Sequence, residues 1–390
     1  MELQELAAWL RLSAAPGIGD ATARRLLAAF GLPQAVFDQE GAALRQVLSA
    51  NQVQALRAEP DVAVQAAIAR TWRWLNEPDA TGAQRALVTL GDPRYPASLL
   101  RIEDPPLMLY VLGMPPPEGS DWFGDAQRHV AIVGSRNPTP QGLFNAREFA
   151  KSLAQAGHTV VSGLALGIDG AAHDGALEGA PADRLATLAV VGTGLDQVYP
   201  RRHAELAHRV ARHGAIISEF ALGTPALGAN FPRRNRLIAG LSQATLVVEA
   251  ALKSGSLVTA RLASEQGREV LAIPGSIHAP QSRGCHALIK QGAKLVESAE
   301  DVLQELHAPG VPHQACAAAA MPPSQEDVLP RGEEDAALLA RLGHDPVSLD
   351  AMVARTGLDT ATLQARLLEL ELAGVVARLP GGLYQRLGSA

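Results

Sequence analysis

The sequence predicts an α/β protein: a doubly wound, mostly parallel sheet, preceded by a small helical domain and followed by a second small domain. Short apolar β-type runs alternate with helical stretches across residues 126–307, and this alternation produces right-handed crossovers between parallel strands. The runs are continuously apolar, as strands buried on both faces require. The chain has 390 residues, which is enough for two or three domains.

The central block supplies the elements of this sheet in order. Seven strands are predicted, at residues 129–133, 159–161, 187–191, 215–217, 245–248, 270–273 and near Leu295. Helical stretches lie between them, at residues 143–156, 203–212, 257–266 and 284–291. The resulting fold is an extended Rossmann-like domain over residues 126–307.

The segments on either side of the central block have different sequence patterns. Residues 1–85 are rich in Ala and Leu, and the glycine turn at residues 16–19 before a helix looks like a helix-hairpin-helix or SAM-like domain, or a plain tight turn in a helical domain. Residues 86–125 are expected to connect to the core and pack on it. A Pro/Ala-rich linker is predicted at 308–332. Three helical patterns and a hairpin around residues 380–382 predict a winged helix at 333–390.

Composition excludes several classes of protein. Two cysteines, Cys285 and Cys316, make no disulfide framework and suit a reducing cytosol. The first residues carry no basic segment of a secretory signal, and no apolar run reaches the length of a membrane span. We therefore expect a cytoplasmic protein.

The central block carries 18 basic and 15 acidic residues, whereas the rest of the chain carries 16 basic and 25 acidic residues. A mildly basic core points to an anionic ligand there.

The most distinctive segment is Phe231-Pro232-Arg233-Arg234-Asn235-Arg236, within a window free of acidic residues from 220 to 248. Guanidinium groups bind phosphate oxygens and an aromatic face stacks on a base, so this segment predicts a platform for a single nucleic-acid strand. The alternative is that Phe231 belongs to the core and the arginines only solubilise the start of a helix.

Small residues follow nearly every predicted strand. In an open parallel sheet, ligands bind beyond the carboxyl ends of the strands, where small residues let phosphates approach backbone amides. The sequence therefore predicts a phosphate-bearing ligand at this edge. The turns are Gly134-Ser135-Arg136, Ser162-Gly163-Leu164-Ala165, Gly192-Thr193-Gly194, Ser218-Glu219, Lys253-Ser254-Gly255-Ser256 and Pro274-Gly275-Ser276.

Enzyme chemistry finds little support in the motifs. The first turn lacks G-x-G-x-x-G, the second strand ends without an acidic residue for a ribose, and no P-loop is present. Asp169 and His173 stand four residues apart near Ser162; they could form a catalytic set, but helix packing with a local hydrogen bond is the preferred interpretation. We expect no catalysis, no cofactor and no metal site.

The C-terminal block is net acidic, with five arginines against eight acidic residues. This charge favours a protein-interaction or regulatory module over a domain that binds double-stranded DNA.

Taken together, these motifs resemble the DNA-processing protein A (DprA, or Smf) family of natural transformation. The matching strings appear in the family's order across roughly 95–306 and are specific in combination; Leu166 stands where many members carry a basic residue. They are residues 131–136, 162–169 with Ala172 and His173, 192–196 with Tyr199 and Pro200, 218–219, 231–242, 247–250, 254–260 and 274–275.

The resemblance implies a non-enzymatic protein of competence and homologous recombination. It would bind incoming single-stranded DNA, protect it, and load RecA recombinase onto it past single-strand binding protein. Its DNA site would include Arg136 as a phosphate clamp, Phe231 as a stacking ring, Arg233, Arg234, Arg236 and Lys253 along a channel, and backbone amides at Ser162-Gly163 and Ser254-Gly255. A homodimer would form through His286, Ile289 and Leu295, with a RecA contact near Arg261 and Ser264.

Two other classes compete with this interpretation. A Rossmann-like nucleotide phosphoribohydrolase also uses Gly-rich turns, but the Pro-Gly-Gly-x-Gly-Thr turn and following Glu that it requires are missing after Pro274-Gly275-Ser276. A duplex-binding transcription regulator would rest on the winged helix alone. From the residues alone the ligand is rich in phosphate; only the resemblance specifies single-stranded DNA and RecA.

Overall fold

A computed structural model describes residues 1–79, 82–114, 122–182, 184–306, 333–343, 346–379 and 381–387. The chain begins with six helices that pack around Leu6, Trp9, Leu26 and Trp74. Their bounds are α1 (Leu3–Ala14), α2 (Asp20–Phe30), α3 (Pro33–Phe37), α4 (Gly41–Leu44), α5 (Ala50–Arg57) and α6 (Val62–Asn76). Helix α5 starts with a capping box between Ser49 and Gln52, which satisfies two backbone amides at once.

Nine strands form the central sheet, in the spatial order β1-β2-β6-β5-β4-β3-β7-β8-β9. The sheet is parallel from β6 to β9, while β2 pairs antiparallel with β6 and β1 antiparallel with β2. The bounds are β1 (Gln84–Thr89), β2 (Met108–Gly113), β3 (His129–Val133), β4 (Thr159–Ser162), β5 (Thr187–Val190), β6 (Ala215–Ser218), β7 (Ala244–Val247), β8 (Glu269–Ala272) and β9 (Lys294–Leu295).

Helices on both faces bury the sheet, so strands such as β3 to β7 have no exposed residue. The two layers of the core lie on opposite faces, one around Leu237 and Ile217 and the other around Phe149 and Ile132. The helices are α7 (Pro140–Gln155), α8 (Ile168–Gly179), α9 (Ala204–His213), α10 (Asn230–Leu241), α11 (Ser256–Glu265), α12 (Arg283–Lys290) and α13 (Ala299–Leu306). The predicted doubly wound fold is confirmed.

The C-terminal part has the winged-helix arrangement that the sequence predicts. Helices α14 (Glu333–Leu342), α15 (Leu349–Thr356) and α16 (Thr360–Leu372) pack on a three-stranded sheet of β10 (Val347–Ser348), β11 (Val376–Leu379) and β12 (Leu383–Arg386). Leu363, Leu367 and Tyr384 lie in its core. The predicted linker, 308–332, and Cys316 lie outside the described residues.

One region differs from expectation. The segment from residue 86 onwards does more than connect and pack, because β1 and β2 extend the main sheet by two antiparallel strands. Val111 pairs with Ile217 more than a hundred residues away. Residues of β1 and β2 also face the helical N-terminal part, where Leu87, Met108 and Tyr110 pack in the same core cluster as Trp74. Proposed domain boundaries at 85, 125, 307 and 332 stay a prediction.

Candidate nucleic-acid interface

A small pocket lies at the carboxyl ends of β4 and β5, beside the start of α10. It encloses about 110 Å³. Its lining combines three of the predicted turns with the Phe231–Arg236 segment, so the sheet edge and the basic segment form one site. The lining residues are Arg136, Gly163, Ala165, Leu166, Val191, Gly192, Thr193, Tyr199, Pro200, Phe231 and Arg234.

One wall of the pocket is a stack of three side chains. The guanidinium carbon of Arg136 lies 5.3 Å from the centroid of the Phe231 ring, and the Tyr199 ring lies 5.5 Å from Phe231 on a tilt of 36°. Phe231 is half-buried, Arg136 is exposed and Tyr199 is 47% exposed. Phe231 is therefore neither a core residue nor a free ring: Arg136 and Tyr199 hold it at the pocket with part of its surface open.

Arg234 forms the floor of the pocket. It is 3% exposed, and its Nη1 donates a hydrogen bond to the Val190 carbonyl oxygen over 2.8 Å. A Cβ atom on Gly163 would come within 1.6 Å of that nitrogen, so only glycine lets the guanidinium lie flat against the turn. Burial lowers the pKa of Arg234 to about 10, with Asp169 opposing and Arg136 adding to the shift. At neutral pH the floor is thus a buried cation.

Asp169, at the start of α8, binds the turn between β4 and α8 from inside. Its Oδ2 accepts hydrogen bonds from the backbone N–H groups of Gly163 (3.1 Å) and Ala165 (3.3 Å). The N–H of Leu164, between them, lies 3.3 Å from Nε2 of His173. Burial raises the pKa of the Asp169 carboxyl, against the pull of Arg234.

The expectation that Ser162-Gly163 supplies free amides to a phosphate is therefore wrong. Asp169 and His173 already occupy the N–H groups of this turn. The Ser162 hydroxyl donates to the Ile132 carbonyl over 2.6 Å and is fully buried. Leu164 is 2% exposed and has a φ of 56°. The turn shapes the pocket, and Gly163 contributes by its small size alone.

His173 supports the same turn and has no free nitrogen. Its Nδ1 lies 2.7 Å from the Thr187 hydroxyl, which itself donates to the Val160 carbonyl, so Nδ1–H is the donor and Nε2 accepts from Leu164. Burial lowers the pKa of His173 to about 3. The pair Asp169 and His173 is a packing arrangement with local hydrogen bonds, the preferred interpretation of its spacing.

Arg233 and Arg236 do not face the pocket as free cations. Nη2 of Arg236 donates to Oε2 of Glu219 over 2.5 Å, and the same carboxylate lies 3.4 Å from Arg233. Arg233 also contacts Asp20 at 2.6 Å. Asp104 completes the network at 3.5 Å from Arg236 and 2.7 Å from Arg24 of α2. Their charge is compensated by carboxylates from three parts of the chain, which argues against the channel role expected for Arg233 and Arg236.

The first turn, after β3, is built for close packing. A Cβ on Gly134 would lie 2.6 Å from Ile168, and the Ser135 hydroxyl accepts the backbone N–H of Asn137 over 3.1 Å. The N-terminus of α7 that follows is occupied by Glu249, which accepts from the N–H and hydroxyl of Thr139 over 2.9 and 2.5 Å. Arg136 is thus the part of this turn that projects outwards.

Lys253, Ser254 and Gly255 lie at the start of α11, apart from the pocket. Lys253 is exposed and has no ion pair in the part of the chain that the structure describes. The Gly255 carbonyl accepts from the side-chain amide of Asn235 over 3.4 Å, which links α11 to α10. Lys253 and Ser254 line a different groove of about 690 Å³, together with Arg261 and Ser264.

The residues expected at a dimer interface lie at the far edge of the sheet. Strand β9 is exposed, with Leu295 43% accessible. Ile289 of α12 is partly buried against the core, and His286 contacts the Gly275 carbonyl over 2.9 Å. Their role stays a prediction.

Tyr199 is a pocket residue that we did not assign to the DNA site from the sequence. It follows β5 by nine residues and precedes Pro200 through a cis peptide bond. An aromatic residue in a loop beyond a predicted strand end was the available signal, because such loops converge at the edge where ligands bind.

The fold and the comparisons place the chain in the class of recombination mediators. The family model described as DNA recombination-mediator protein A matches residues 86–307. The model of the DprA winged helix domain matches residues 318–382. Protein Smf of Escherichia coli is 44% identical over 81% of this chain and 80% of its own length. Protein Smf of Synechocystis is 34% identical over 99% of this chain and its own full length. The chain belongs to the DprA/Smf family.

A solved structure agrees with that assignment. The X-ray structure of DNA processing protein A from Streptococcus pneumoniae superposes with a TM-score of 0.57 and 33% identity, over 76% of this chain and 95% of that one. Within the described ranges, no helix is long and apolar enough to span a bilayer. No cluster of three or more His, Cys, Asp or Glu residues suited to a metal ion occurs in those same ranges.

Proposed function

We propose that the protein binds single-stranded DNA at the Arg136–Phe231–Arg234 pocket. The observation that carries the proposal is the half-buried Phe231 ring, held between Arg136 and Tyr199 with part of its surface exposed, beside the buried guanidinium of Arg234. Aromatic faces stack on bases without regard to sequence, and arginine binds phosphate through a planar fork. Two guanidinium groups and one buried carboxylate, Asp169, leave the pocket with a positive charge.

The strand would lie with a phosphate on Arg136 and a base against Phe231. Lys253 provides a further uncompensated cation at the start of α11, where a second phosphate would bind. Arg233 and Arg236 take no direct part, because Glu219, Asp20 and Asp104 neutralise them.

Family membership supports a wider role. We propose that the protein protects incoming DNA in the cytoplasm during natural transformation and loads RecA onto it past single-strand binding protein, without catalysis of its own. The RecA contact would use Arg261 and Ser264, which line the same groove as Lys253. A homodimer would form at the β9 edge through His286, Ile289 and Leu295.

A salt-series competition between labelled oligo-dT and a duplex of equal length tests the DNA-binding step. We expect a strong preference for the single strand and an affinity that falls steeply with salt. Equal binding of both, or none, would contradict the proposal. The RecA step is tested separately, by the rate at which RecA assembles on DNA coated with single-strand binding protein, with and without this protein.

A further inference from the structure

A second and larger cavity adjoins the pocket. It is a groove of about 740 Å³ between α6 of the N-terminal helices and α9 of the main sheet. Leu112 of β2 and Ile216 of β6 form part of its floor. Val191 and Tyr199 line both cavities, so Tyr199 separates the pocket from the groove and presents a ring surface to each.

The rim of the groove carries arginines without ion-pair partners among the described residues. Arg73 of α6 and Arg212 of α9 are exposed and have no such partner, and Arg70 uses one nitrogen to bind the Leu222 carbonyl over 3.0 Å. His208 lies beside Arg212 on α9.

Acidic groups of the groove are largely occupied. Asp79 is bound by Arg85 at 2.9 Å, and Asp196 accepts the backbone N–H of Gly223 over 2.8 Å. Glu77 and Asp196 are exposed carboxylates without an ion pair among the described residues, set against three such arginines, Arg70, Arg73 and Arg212. The groove rim therefore keeps a net positive charge, whereas carboxylates neutralise the arginines on the Arg233 side of the pocket.

We propose that this groove, which we call the α6–α9 groove, continues the path of the bound strand beyond Tyr199. The inference rests on the proposed function and extends it: phosphates would contact Arg73 and Arg212 and, in part, Arg70. A strand leaving the pocket on the Arg233 side meets neutralised charge, whereas on the Tyr199 side it meets unpaired guanidinium groups next to an aromatic ring. The helical N-terminal part thereby contributes directly to the length of DNA bound.

The test measures affinity and salt dependence for oligo-dT lengths from about 4 to about 16 nucleotides, the range of site sizes known for single-strand-binding OB folds. The variant Arg73→Ala/Arg212→Ala is compared with Arg45→Ala/Arg57→Ala, which removes the same charge from exposed positions outside the groove. On the longest oligonucleotides we expect the groove variant to lose about 1.4 from the log–log salt slope, since each phosphate contact to a single strand contributes about 0.7.

The shortest oligonucleotides, which fill the pocket only, should bind the groove variant and the parent alike. Groove and control variants that match at every length would overturn the inference. Failure of the underlying function gives a separate result: Arg136→Ala would then bind even the shortest oligonucleotides as the parent does.

Discussion

Two arginine–phenylalanine pairs each include one residue of the Phe231–Arg236 segment, and they differ in what surrounds them. Arg136 lies 5.3 Å above Phe231, and Arg233 lies 5.7 Å above Phe220. Arg136 has no carboxylate partner among the described residues, whereas Arg233 contacts both Asp20 and Glu219. The same pair of side chains thus leaves an uncompensated guanidinium in one place and forms a structural joint in the other.

The difference shows that a run of arginines is not a measure of binding surface. Charge available to a phosphate depends on which carboxylates the fold brings near each guanidinium. In the joint these come from α2, from the loop before β2 and from the end of β6, so the network connects the N-terminal helices to the main sheet. Each of the predictions below acts on one side of this comparison.

The largest effect is expected where the joint is buried. Glu219 is 3% exposed and pairs with Arg236, whose side chain is 11% exposed. Burial raises the pKa of Glu219 even so. Glu219→Ala leaves the nearly buried Arg236 with only the more distant Asp104, at 3.5 Å, and removing one member of a buried pair costs about 3–5 kcal/mol of unfolding free energy. Urea denaturation measures the loss; a change below about 1 kcal/mol, typical of an exposed pair, would contradict the structural role.

The two phenylalanines separate stacking from packing. Phe231→Ala should weaken oligo-dT binding by about 1–3 kcal/mol, the usual worth of one stacked base. Phe220→Ala, its matched control, should leave affinity near that of the parent. Fluorescence anisotropy at constant salt gives both values, with thermal unfolding as a check that each variant is folded. Equal losses for the two variants would show that the aromatic rings act through stability alone.

The two arginines separate free charge from compensated charge. Arg136→Ala should reduce oligo-dT affinity by about tenfold, or about 1.4 kcal/mol. It should also lower the salt slope by about 0.7 through loss of one phosphate contact. Arg233→Ala should leave the slope unchanged. If Arg233→Ala flattens the slope as much as Arg136→Ala, the carboxylates do not neutralise it in solution.

The smallest effect concerns the partner of Arg233. Asp20→Asn removes one carboxylate from an ion pair whose arginine is 48% exposed, so the cost in stability should stay below about 1 kcal/mol. The released guanidinium should raise the salt slope by at most about 0.7. Glu59→Gln, at an exposed position after α5 that has no ion pair among the described residues, controls for the change in net charge. A parent-like slope would mean that Glu219 alone is enough to neutralise Arg233.

How much of this follows from the sequence depends on how local each signal is. Strands β3 to β8 were predictable because each is a short, continuously apolar run between small residues. Strands β1 and β2 were not, since their place in the sheet is set by antiparallel pairing between Val111 and Ile217. That pairing leaves no trace in the local pattern, and Pro105-Pro106 made the region look like a connection.

Some features of the candidate site could likewise be predicted from the sequence and others could not. Arg136 and Phe231 could be assigned from strand-end position and residue type. The compensation of Arg233 and Arg236 could not, because the window from 220 to 248 contains no acid and the neutralising carboxylates come from residues 20, 104 and 219. Likewise, small residues in the 162–165 turn suggested free amides, but the carboxylate that occupies them follows on the next helix.

Asp169 and Glu249 affect which ligands the candidate site can bind. Each places a side-chain carboxylate at backbone donors near the start of a helix, where doubly wound proteins usually receive the phosphate of a nucleotide. With those positions filled by the chain itself, a free mononucleotide has little to hold its phosphate. We therefore expect millimolar ATP to compete poorly with oligo-dT, so that the abundant nucleotide pool of a growing cell would leave the site open to a polymer.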